Sequence, residues 1–232
     1  MLTDLNIASF AYQASTWAIP ILLAITLHEA AHGFVAWRFG DDTAYRRGRV
    51  SLNPFRHIDG FGTVLLPALL LIGSGGRFVF GYAKPVPVAF HRLRHPRRDM
   101  VWVAAAGPAS NLAMAFVAAL LFHLLPLLPG GVEWTRLNLS HALYINLVLA
   151  VFNMLPIPPL DGGRVAVGVL PVALARPLAR LERSGILILI ALLFLLPFVG
   201  NRLGTDLDVL SWILVPTVDV LFDAVVTLAG HR

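Results

Sequence analysis

Apolar residues in this chain gather into long stretches separated by short, Arg-rich polar segments. Five stretches read as membrane-crossing helices: Thr16–Phe39, Met100–Leu125, Ser140–Leu155, Gly185–Val199 and Ser211–Ala229. A helix rises 1.5 Å per residue, so about 20 apolar residues cross a hydrocarbon layer of about 30 Å. A further apolar run lies within 61–78; it is about 14 residues long, holds Pro67 and exits through Gly-Ser-Gly-Gly. That length predicts a re-entrant segment rather than a crossing. Arg49–Leu52 and the alternating Val/Phe/Pro pattern of Phe78–Val88 predict short edge strands. Pro156, Pro158 and Pro159 must unwind the end of the third helix, because proline lacks an N–H and disfavours helix before it. The expected fold is an all-α polytopic membrane protein with about five transmembrane helices, a re-entrant segment and short membrane-associated β-strands. It reads as one membrane domain over 1–232, with a core over about 16–170 and C-terminal helices over about 171–232.

Composition agrees with this picture. The 232 residues are 57% hydrophobic and only 13% charged, about half the charge of a soluble domain. The opening "MLTDLNIASFAYQAS" has no basic n-region and no small-residue cleavage site, so the first span reads as a retained anchor. With no cysteine, disulfides and thiolate metal sites are excluded, leaving His, Asp and Glu as metal ligands. The net charge of +5 comes from arginines in loops beside apolar spans. This pattern fits a cytoplasmic membrane face and not nucleic acid. With the first span leaving on the cytoplasmic side and 61–78 not crossing, 16 of the 18 Lys and Arg lie inside, all but Arg136 and Arg202. The protein is therefore expected in a prokaryotic plasma or inner membrane, its site toward the cytoplasm. No feature sets an oligomeric state.

The first span carries His28-Glu29-Ala30-Ala31-His32, an H-E-x-x-H pattern inside an apolar run. Eight His and three Glu in this length produce the pattern by chance about 0.004 times. Positions i and i+4 share a helix face, so two imidazoles can close on one Zn²⁺ while Glu29 reaches water beside it. A catalytic zinc needs a third protein ligand and an open position. Asp161, in "LPIPPLDGGR", is the best candidate: the prolines break the helix there, and two glycines allow close approach to another helix. Ionised Asp161 and Glu29 balance Zn²⁺, which lowers the cost of burying them.

These segments, "TLHEAAHGFVAWRFGD", "GRVSLNPFRHIDGFGT", "FGYAKPVPV", "AAGPASNLAMA" and "NLVLAVFNMLPIPPLDGGRV", resemble the site-2 protease family of intramembrane zinc metalloproteases. The likeness covers about 16–170 and is to the compact prokaryotic subgroup without a PDZ or CBS domain. It implies one Zn²⁺ per chain held by His28, His32 and Asp161, with Glu29 activating water for hydrolysis of transmembrane protein substrates. It also implies that Asn153 positions substrate and that Asn111 braces the core. Asn111, Asn153 and the edge residues Val86 and Val88 form the expected substrate-handling set, with an unwound substrate adding to the edge as a strand. Ala89 departs from the asparagine that many relatives carry after this strand.

The remaining polar residues read more simply. His57 and Asp59 suit a hydrogen-bonded turn, His91 and His95 a solvated loop, and His123 and His141 local pairing. Asp219 and Asp223, four apart in the last span, suit a structural or interfacial role. Two rivals stand beside the protease: a zinc-binding transporter or metal carrier, and an inactive scaffold. Glu29 separates them, because a carrier needs no general base beside its ligand.

Overall fold

The computed structural model describes residues 7–65, 69 and 84–231. The described residues are mostly helical, and among them four helices are long and apolar enough to cross a membrane: Ala11–Arg38, Pro96–Leu127, Val172–Leu203 and Val209–Leu228. The first lies within α1 (Ile7–Arg38). The second begins as α2 (Pro96–Leu121) and ends in a 3-10 stretch around Pro126. Gly131, at φ 69°, turns the chain into α3 (Val132–Asn153). After the proline turn come the short α4 (Asp161–Val169) and the rod α5 (Val172–Leu203). The rod tightens to 3-10 at Leu181–Ser184 and widens to a π-helix at Ala191–Leu195. Gly204 then leads to α6 (Val209–Leu228).

The four crossing candidates are one fewer than the five expected. The helix not among them is α3, whose apolar residues are interrupted by Glu133, Arg136, Asn138, His141, Asn146 and Asn153. It packs against α1, α2 and α6, and its buried positions include Asn138 and Asn146. A helix enclosed by neighbours can carry polar groups on its inner faces. Its apolar side joins Ala115, Ala118, Ala119, Leu143, Leu147, Val151, Val218 and Val225 in the main core. Small residues on α2 let the backbones approach where lipid gives no hydrophobic drive.

The expected strands are also corrected: no β-strand occurs among the described residues. Around Arg49–Leu52 the chain folds onto itself instead, with Arg49 N–H donating to Ala44 O and the Arg56 guanidinium to Gly48 O. Lys84–Ala89 is irregular, and the N–H groups of Lys84, Val86 and Ala89 already have partners. Lys84 donates to His57 O, Val86 to Glu29 and Ala89 to Asp41; Pro85 and Pro87 have no N–H. Most of the predicted re-entrant segment, and Phe78–Ala83 of the predicted strand, fall outside the described residues.

Candidate metal centre

One face of α1 supplies His28 and His32, whose rings meet edge to face. Each ring is held from behind at Nδ1. His28 Nδ1 lies 2.5 Å from Asn111 Oδ1, and His32 Nδ1 lies 2.7 Å from the Val103 carbonyl, both on α2. A carbonyl oxygen only accepts, so each Nδ1 carries the proton and each Nε2 presents a lone pair.

The third group arrives from the proline turn. Pro156–Leu160 reverses the chain through a cis Pro158–Pro159 bond and delivers Asp161 as the first residue of α4, where the helix dipole favours a carboxylate. The two glycines after it are sterically required. A Cβ on Gly162 would strike Met154 O, and one on Gly163 would lie 2.5 Å from Pro158 N. Gly162 accommodates the end of α3 at Met154 and Leu155, and Gly163 the turn's own backbone. Gly185 on α5 backs the same turn, where a Cβ would lie 2.6 Å from the Pro158 carbonyl carbon.

The three elements converge. His28 Nε2 and His32 Nε2 are 3.0 Å apart, and Asp161 Oδ2 lies 3.1 and 3.3 Å from them. All three side chains are buried, and Asp161 Oδ2 has no hydrogen-bond partner among the described residues. Three ligand atoms this close together, one from each side chain, can hold a metal ion. Tetrahedral zinc with bonds of 2.0–2.1 Å separates its ligands by about 3.3–3.4 Å, so the triangle fits that ion. Gly107 of α2 completes the cradle: a Cβ there would overlap His32 Nε2 and lie 2.6 Å from His28 Nε2. A side chain at 107 would fill the ion's space.

Glu29 sits half-buried beside the first histidine, its Oε2 accepting a 2.7 Å hydrogen bond from Val86 N–H. The expected substrate set is dispersed. Asn111 is fully buried and serves His28. Asn153 Nδ2 donates to Leu149 O on its own helix. Val86 is buried, and Val88 packs on the Ala36, Leu93 and Val103 cluster. His57 bonds Ser51 O, while Asp59 Oδ1 accepts from Phe61 and Gly62 N–H. His123 bonds Ala229 O, and His141 bonds Thr16 O. Gly107, Gly185 and Asn146 escaped the sequence reading; the available signal for Asn146 was an amide inside an apolar helix.

The profile of Peptidase family M50 matches residues 132–196, which include Asp161. YwhC of Bacillus subtilis is 40% identical over 182 residues, covering 75% of this chain and 78% of that protein. Rip2 of Mycolicibacterium smegmatis is 31% identical over 172 residues, 74% of this chain and 64% of the relative. MJ0611 of Methanocaldococcus jannaschii is 34% identical over 140 residues, 60% and 62% of the two chains. Each of the three carries the name "Putative zinc metalloprotease". No solved structure matches this chain. With its crossing helices and its likeness to YwhC, the chain belongs to peptidase family M50, the site-2 proteases, as an integral membrane protein.

Proposed function

We propose that this protein is an intramembrane zinc metalloendopeptidase that hydrolyses peptide bonds in or near transmembrane segments of membrane-protein substrates, as in regulated intramembrane proteolysis. The observation that carries the reading is the buried triangle of His28 Nε2, His32 Nε2 and Asp161 Oδ2, with a carboxylate one residue away on α1. Zinc bound there supplies a Lewis acid that polarises a peptide carbonyl and activates water near neutral pH. His28 and His32 act as neutral ligands and Asp161 as an anionic one, and Asp161 and Glu29 together balance the ion's charge. Glu29 takes a proton from the attacking water and returns it to the departing amine.

An extended substrate that pairs along Lys84–Val88 takes over the Val86 N–H, and Glu29 is released when a peptide is in position. The Asn153 carbonyl oxygen accepts a substrate amide. At 22 residues α3 is about 33 Å long and adds a fifth crossing, with its asparagines turned inward. The arginines at and after the end of α1 set that end, and the site, toward the cytoplasm.

The test is cleavage of a single-span substrate by purified wild type and Glu29→Gln. The variant is expected to keep zinc and lose cleavage by at least about 100-fold. Unchanged cleavage in Glu29→Gln overturns the mechanism. Loss of zinc transport with no cleavage in the wild type makes the protein a metal carrier.

A further inference from the structure

The two histidines are oriented by different kinds of group. His32 Nδ1 faces the Val103 carbonyl, a backbone acceptor that has only one orientation. His28 Nδ1 faces Asn111, a primary amide whose two ends differ: turned one way it accepts, turned the other it donates. With the donor end toward His28, the imidazole proton would move to Nε2. It would then sit between His32 Nε2 and Asp161 Oδ2, where the ion belongs. Something must hold Asn111 in its accepting orientation.

Asn146 on α3 does so. Asn111 Nδ2 donates to Asn146 Oδ1 at 2.7 Å and, more weakly, to Ala24 O at 3.3 Å. Asn146 is itself held, because its Nδ2 donates to Ala142 O one turn back on α3 at 2.8 Å. That bond leaves the Asn146 carbonyl end facing Asn111. Asn111 is 0% exposed and Asn146 2%, so bulk water does not compete for these groups. A one-way line of donors therefore runs from α1 through α2 to α3, and the constraint runs back along it: Ala142 O fixes Asn146, Asn146 fixes Asn111, and Asn111 fixes the His28 tautomer.

We propose that Asn146 is a positioning residue of the metal centre, selecting through Asn111 the His28 tautomer whose Nε2 lone pair faces His32 and Asp161. The inference rests on the metal-centre reading above and adds to it a residue that touches neither the ion nor a ligand. Groups that orient metal-bound histidines are worth about 10–100-fold in metal affinity.

The test is zinc affinity of the full-length protein in detergent, measured by chelator competition, with thermal unfolding of the metal-free protein in parallel. Asn146→Leu is expected to weaken zinc about 10–100-fold. In the Asn111→Asp background the same substitution should cost less than about threefold, because a carboxylate accepts from His28 in either orientation. A merely structural asparagine would give the same loss in both backgrounds, and that result overturns the proposal, as does wild-type affinity in Asn146→Leu. Asn146→Ser, too short to reach Asn111, supports the same comparison if the leucine variant does not fold. A wild type that binds no zinc overturns the metal centre itself; zinc bound equally by every variant overturns only the role of Asn146.

Discussion

The backbone N–H of Val86 donates a 2.7 Å hydrogen bond to Glu29 Oε2, joining the candidate general base to a segment 57 residues away. The bond fixes the carboxylate and occupies an N–H that strand addition needs. Val86→Pro removes that donor and should lower kcat/KM about tenfold, through a misplaced base and a lost substrate contact, with zinc content unchanged. Steady-state cleavage assays with metal analysis check this; full activity in the variant would exclude both roles of the amide.

Gly107 of α2 lies against the Nε2 atoms of both His28 and His32. Gly107→Ala puts a methyl group 2.6 Å from His28 Nε2. It should weaken zinc by about 100-fold or more, beyond the usual effect of a group that only orients a ligand. Alanine also favours helix over glycine by about 1 kcal/mol, which offsets strain elsewhere in α2. A drop in bound zinc by elemental analysis, with helicity preserved by circular dichroism, is the expected pair of results.

Gly185 lies beyond residues 16–170, yet it packs on the turn that delivers Asp161. In Gly185→Ala the new methyl meets the Pro158 carbonyl group. The turn must shift, and Asp161 with it. Zinc affinity should fall about tenfold, measured by chelator competition, although residue 185 touches no ligand.

Asp41, just beyond α1, is fully buried and accepts hydrogen bonds from Thr43 N–H at 3.0 Å, the Thr43 hydroxyl and Ala89 N–H at 2.6 Å. Burial pushes its carboxyl pKa up, but the Thr43 and Ala89 hydrogen bonds and the charge of Arg92 outweigh this and hold it below the usual range. A folded-state value below the unfolded one, about 3.9, gives stability that is fully present above that pH. The stability is lost as pH falls through the lower, folded value. Asp41→Ala should therefore cost about 2–3 kcal/mol near neutrality, with donors left unpaired. It should also flatten the acid limb of a melting-temperature profile taken in detergent.

The grouping of His28, His32 and Asp161 was legible in the sequence because its cues are local. Helical spacing puts His28 and His32 on one face, and charge balance points to an acid near a helix break, which Asp161 supplies. What supports these groups was not legible, because it is a matter of distance across helices. Gly107, Gly185 and Asn146 look ordinary until α2, α5 and α3 are brought against the site. Alternation suggested a strand through Val86 and Val88, but alternation reports which side chains face inward, not whether N–H groups are free. In α3 the sequence showed an apolar run at 140–155, while the helix begins at Val132, with Arg136 paired to Glu133 at 2.7 Å in its first turns. The polar residues of its first turns hid where that helix starts.

The most direct test of the metal centre is elemental analysis with zinc-edge X-ray absorption on purified wild type and Asp161→Ala. One zinc per chain is predicted, bound by two imidazoles and an oxygen at about 2.0–2.1 Å, with most of the metal lost from the variant. Equal zinc with an unchanged coordination shell in Asp161→Ala would contradict the account.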